Sequence, residues 1–163
     1  MYKRKGSETD VQDIGAGAKG YNVVTIHNTA EHDKVHDEIK TLVYDKGQGT
    51  ARDIKGTQSI AYTRGMVISM LQVEAVRTAQ EKFGKGQVMT SEQVRWGLEN
   101  LNLTQERLNE LGFGKVLRPV KTSCQNHLGT DWARIAQWDG AKWKVTSDWY
   151  QADKSMGEER GKE

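Results

Sequence analysis

The chain has 163 residues, with 24 Lys and Arg against 22 Asp and Glu for a formal net charge of +2, and 36% of its residues are hydrophobic. One domain of ordinary size is the expectation, and so near-neutral a balance offers neither a basic footprint for nucleic acid nor an acidic tail. A lone cysteine, Cys124, excludes an intrachain disulfide framework; no apolar run approaches the roughly 20 residues of a membrane span, and none follows the basic start Met1 to Lys5, so the chain as written reads as soluble and without an export signal.

Residues 1 to 20 are polar and Gly-rich, and the β-branched run Tyr21 to His27 predicts a strand buried on at least one face. Val35, Ile39, Leu42 and Val43 recur at helical steps, so a helix is expected from about Glu31 to Lys46, ended by Gly47. Gln48 to Gln58 is a polar connection. The strongest helical pattern runs from Met66 to Phe83, where Met66, Val67, Met70, Leu71, Val73, Val76, Ala79 and Phe83 form a stripe wide enough to bury against a sheet. Thr90-Ser91-Glu92-Gln93 is a capping box that opens a shorter helix with Val94 and Leu98 inward. Thr104 repeats the start signal ahead of Leu108 and Leu111, and Gly112 repeats the stop. From Pro119 the period changes to two, first in Val120 to Cys124 and then in Ala133 to Trp138. Asp139-Gly140 between Trp138 and Trp143 predicts a hairpin, and residues 151–163 read as a polar tail.

Few motifs carry chemistry. Gly15-Ala16-Gly17-Ala18-Lys19-Gly20 has the letters of a dinucleotide loop, but no strand precedes it and a strand, not a helix, follows, so a helix end and turn is the better reading. His32 and His36, four apart on a helix, could offer two nitrogens to zinc, yet a third ligand would have to come from His27 or His127 and a solvated face is favoured. Cys124 is expected to pack as a small buried hydrophobe rather than to act as a nucleophile. Thr104 of the Asn102-Leu103-Thr104 sequon is better used as a helix cap than as part of a glycosylation site. Trp132, Trp138, Trp143 and Trp149 are expected to cover the hairpin, since no basic groove accompanies them. No catalytic constellation emerges, no cofactor or metal is implied, and an enzyme is disfavoured.

One long stretch is distinctive as a whole: Ala61-Tyr62-Thr63-Arg64-Gly65, the helix ending Ala79 to Gly84, and Ser91 to Leu101. Together with Gly15 to Ile26, Pro119 to Cys124 and Gln137 to Trp149, it resembles the C-terminal portion of the substrate-binding proteins of branched-chain amino-acid-type ABC transporters, the leucine-binding-protein-like family. The resemblance implies an incomplete type I periplasmic-binding-protein fold of the α/β class: parts of two Rossmann-like lobes, each with a mostly parallel sheet, and a C-terminal β-hairpin. By that resemblance residues 29–118 belong to the first lobe and the rest of 1–150 to the second, with crossings near His27 to Thr29 and Pro119 to Cys124. The implied function is non-catalytic capture of a branched-chain or related small amino acid or amide between the lobes, in the periplasm, for delivery to an ABC permease. Ser7, Glu8, His27, Asn28 and Tyr62 are the implied ligand-binding residues. The competing expectation is a truncated module that self-associates through its uncovered apolar faces and binds no transport ligand.

Overall fold

The computed structural model describes residues 8–28, 33–50, 57 and 59–152. A short helix that the sequence reading did not anticipate, α1 (Glu8–Gln12), buries Val11 and runs into one turn of 3-10 helix at Gly15–Ala18. Strand β1 (Asn22–Thr25) follows, with Thr25 buried and Val24 71% exposed. The helix expected over 31–46 is shorter among the described residues: α2 (Lys34–Ile39) passes into a π-helical turn, Lys40–Tyr44, that Gly47 closes with φ +69°. Leu42, expected to face inward, is exposed there, because a wider turn rotates it off the stripe that Val35 begins.

Helix α3 (Ile60–Phe83) starts six residues before the predicted Met66. Its start is set by caps rather than by apolar spacing: Ser59 Oγ accepts the Tyr62 N–H at 3.1 Å, and Glu8 Oε1 accepts the Ile60 N–H at 2.6 Å. Val67, Met70 and Ala79 are buried as expected, but Val73 is 66% exposed and Phe83 is also exposed, its ring meeting Trp96 edge to face at 5.4 Å. On the buried side, in place of those two, lies Glu74.

Helix α4 (Ser91–Glu99) opens with the predicted capping box, Thr90 and Gln93 exchanging hydrogen bonds of 3.3 and 2.8 Å. It packs on α3 through Gly97, where an added Cβ would lie 2.1 Å from the Ala75 carbonyl oxygen. That backbone-to-backbone approach, rather than Val94 and Leu98, decides which side faces in; Leu98 is exposed. Strand β2 (Asn102–Leu103) and α5 (Gln105–Glu110) come next, α5 capped by Thr104 and stopped by Gly112 at φ +80°.

Strand β3 (Val120–Lys121) pairs antiparallel with β2 and ends sooner than the alternation predicts, because Ser123 and Asn126 close a turn through reciprocal backbone hydrogen bonds. Cys124 sits in that turn and is exposed, not buried. The second sheet centres on β4 (Trp132–Trp138), flanked by β1 on one side and by β5 (Trp143–Val145) and β6 (Tyr150–Gln151) on the other. The predicted hairpin is present, with Trp138 opposite Trp143 and Gly140 at φ +107°. Every pairing among the described strands is antiparallel. A parallel pair needs a long crossover between its strands, whereas β4 and β5 are joined by a tight turn.

Two core clusters form among the described residues. One gathers Val35, Val67, Met70, Leu103, Leu108 and Phe113 with the segment Val116 to Val120; the other gathers Val11, Ala18, Ile60, Ala136, Trp138 and Trp143. Helix α3 belongs to both, through Ile60 at its start and Val67 and Met70 further along. Among the described residues no helix is long and apolar enough to cross a membrane.

Candidate functional site

The chain passes between the two cores at a crossover where two extended segments touch. His27 bridges to Leu117 in antiparallel fashion, and the Asn28 N–H donates to the Val116 carbonyl at 2.7 Å. Beyond Thr25 the chain is held by that residue's hydroxyl, which donates to the His27 carbonyl at 2.9 Å. His27 is only 2% exposed. Its Nδ1 lies 2.8 Å from the Asn28 carbonyl, an acceptor only, so Nδ1 carries the proton and Nε2 is a bare acceptor. That Nε2 is buried with no hydrogen-bond partner among the described residues. Burial lowers the His27 pKa, the Asn28 bond partly restores it, and the Arg64 charge lowers it further, so the ring is held neutral.

The first turns of α3 form the other half of the site. Glu8 reaches the Ile60 N–H, Thr63 Oγ1 is 3.3 Å from His36 Nε2, and Arg64 acts on His27. Tyr62 borders an open groove of about 590 Å³ with Val35, Ile39, Met66, Met70 and Leu111. Desolvation and the neighbouring Tyr44 hydroxyl hold the Tyr62 phenol above its usual range, so it remains an O–H donor. Of the five residues implied by resemblance, Glu8 caps the Ile60 N–H at the start of α3, Tyr62 sits in that helix's first turn, and His27 and Asn28 share the crossover, where the Arg64 charge acts on His27. Ser7 lies outside the described residues. The Glu8 carboxylate contributes in addition a structural contact, satisfying a helix N-terminus.

The other candidate chemistry does not assemble. Among the described residues no group of three or more His, Cys, Asp and Glu side chains could hold a metal ion; His36 engages Thr63, and His32 lies outside the described residues. Gly15 to Ala18 is a helical turn that runs into a strand, so this glycine-rich loop does not open a helix as a dinucleotide loop does.

Four residues beside the crossover were not anticipated in their arrangement. Arg118 follows Leu117, and its guanidinium carbon is 5.4 Å from the Trp132 ring centroid and 5.5 Å from that of Trp149. Arg134, on β4 opposite Thr25, lies 4.7 Å from the same Trp149 ring. Both arginine Nε atoms are buried without a hydrogen-bond partner among the described residues. The available signal was the alternation Trp132-Ala133-Arg134, which sets a large aromatic and a cation on one face of a strand.

No family model and no curated protein sequence matches the chain. Two solved structures do. The crystal structure of an ABC transporter permease from the Pseudomonas fluorescens group is 38% identical with a TM-score of 0.89, over 95% of this chain and 37% of that one. A branched-chain amino acid ABC transporter from Thermus thermophilus with bound valine is 20% identical with a TM-score of 0.64, over 90% of this chain and 37% of that one. The chain thus spans little more than a third of the length of the proteins it matches. Over nearly its whole length it is alike in fold to part of these two ABC transporter proteins, and for the Pseudomonas protein also in sequence.

Proposed function

We propose that this chain is the C-terminal portion of a substrate-binding component of an ABC importer, taking a branched-chain or related small amino acid or amide. The observation that carries this reading is the TM-score of 0.89 at 38% identity over 95% of the chain, supported by the valine bound in the Thermus relative. Residues 29–118 contribute to the first lobe, the remainder of 1–150 to the second, and 151–163 are a polar tail. The two cores support such a division in most of their residues, with Ile60 and Val120 crossing it. Ligand capture is non-covalent: a closed form that encloses the ligand is favoured over an open one, and that closed form docks on the permease. His27 Nε2, as a buried acceptor, would take a ligand N–H; Tyr62 would supply a hydroxyl; Ser7, Glu8 and Asn28 would complete the polar wall. The location implied is the periplasm.

A specific observation favours a second reading, a self-associating module. Val24, Ile26, Ile68 and Val73 are exposed, and the groove beside Tyr62 is open. In an intact two-lobed protein the remaining two thirds of the polypeptide would cover such surfaces; in this chain alone a second copy would. The deciding experiment is the intact mass of the native protein, captured with an antibody against Ser91 to Leu111. A mass more than double 18.4 kDa, with saturable calorimetric binding of free branched-chain amino acids, is expected. A mass equal to this chain, with assembly and no amino-acid binding, would overturn the transport reading in favour of the second.

A further inference from the structure

The cluster of Arg118, Arg134, Trp132 and Trp149 carries more than packing. Two guanidinium groups share one indole, Trp149, at 5.5 and 4.7 Å, and Arg118 also covers Trp132. Cation–π contacts orient a guanidinium but accept none of its N–H bonds. The Nε of each arginine is buried and has no hydrogen-bond partner among the described residues. Leaving a buried charged donor unbonded is costly, and placing a second like charge beside it adds to that cost. The electrostatics agree with the geometry: Arg134 loses proton affinity first to burial and then to the Arg118 charge, offset in part by Asp148 and Asp33. Those two carboxylates act from beyond ion-pair distance, so they moderate the positive field without occupying it.

We propose that Arg118 and Arg134, held on Trp149 and Trp132, form a binding site for the carboxylate of a small monoanionic ligand at the crossover between the two cores. A planar carboxylate matches the guanidinium fork, two oxygens to two N–H donors. Asp33 and Asp148 offset part of the positive field of the two arginines, which favours a singly charged ligand over a dianion. The ligand would touch residues on both sides of the crossover, Arg118 on the returning segment and Arg134 on β4. Its identity as an amino acid rests on the binding-protein reading; the carboxylate site itself does not.

The test follows tryptophan fluorescence and heat on titrating the full chain with sodium acetate, sodium sulfate and L-valine at ionic strength held constant with sodium chloride. Acetate is expected to saturate, to be weakened at least about tenfold by Arg134→Gln or Arg118→Gln and only in part by Arg134→Lys, and to be unaffected by Arg95→Gln, a surface arginine elsewhere. Circular dichroism verifies that each variant folds; should Arg134→Gln not fold, Arg118→Gln and Arg134→Lys carry the comparison. A linear acetate response, or one equal in the folded variants, overturns the site, and sulfate binding tighter than acetate overturns its single-charge assignment. Saturable acetate without valine binding keeps the site and rejects the amino-acid reading.

Discussion

His27 shows how much a single side chain owes to its place. In the sequence it is a polar residue ending a β-branched run; in the fold it is buried, with Nδ1–H committed to the Asn28 carbonyl and Nε2 bare. Its folded pKa lies below the unfolded value of about 6.5, so the unfolded chain binds the extra proton first as pH falls. The stability contributed by the neutral ring is therefore complete above about pH 6.5 and is lost as pH drops toward the folded pKa. Denaturant melts between pH 7.5 and 5 are expected to weaken with acid in the native chain and to do so less in His27→Gln; parallel curves for the two would refute this.

Glu74 poses the opposite problem, a carboxylate 2% exposed on a face where apolar spacing called for Val73. Burial pushes its pKa up, but hydrogen bonds from Arg107 at 2.7 and 3.0 Å and from Arg77 at 3.0 Å outweigh it and leave the net shift downward. Removing Arg107 strips a buried carboxylate of its bidentate partner, so Arg107→Ala is expected to cost about 3 kcal/mol. Glu74→Leu, which leaves Arg77 paired with Glu81 and Arg107 with Glu110, is expected to cost less in urea melts. Because the folded pKa is depressed, this contribution is present above the unfolded value of about 4.3 and fades as pH falls below it.

Among the elements, the contact of α3 with α4 has its tightest point at Gly97. A methyl group there would meet the Ala75 carbonyl at 2.1 Å and the Ala79 side chain at 3.3 Å. Gly97→Ala should therefore destabilise by about 1–3 kcal/mol, although alanine is the better helix former. A thermal melt unchanged or raised by this substitution would show that the helices separate without penalty. The element level also explains what was readable. Capping boxes, Gly stops and the Asp139-Gly140 turn are encoded within a few residues, and α4, α5 and the hairpin were legible accordingly. The start of α3 was not, because its first N–H groups are satisfied by Ser59 and by Glu8, the latter 52 positions away in sequence. Strand β3 was overextended for the converse reason: alternation continues past Lys121, but the Ser123–Asn126 turn withdraws the backbone from pairing.

At the scale of the whole molecule, the uncovered surfaces are the distinctive feature. Strand β1 pairs only with β4 among the described strands, its Val24 and the Ile26 that follows it are exposed, and the groove beside Tyr62 is walled by Val35, Ile39 and Met66. Edges and apolar faces of this kind drive association. The isolated chain is expected to self-associate at micromolar concentration in analytical ultracentrifugation, and the exposed residues predict that Val24→Lys reduces the assembly. A concentration-independent monomer with a sharp cooperative melt would show that the chain covers its surfaces unaided.

The sequence by itself determined the local architecture and the class: helical and alternating segments in order, their caps and turns, the α/β fold, and a likeness to amino-acid-binding transport proteins carried by the order of its segments. Those features depend on neighbours within about one turn of helix or strand, or on an order that any fold would preserve. Only the tertiary structure decided which faces are buried, where Glu74 and Cys124 lie, that the Arg64 charge of α3 acts on His27, and that Arg118 and Arg134 share one indole. Burial and charge proximity arise between residues distant along the chain, and local spacing carries no record of them.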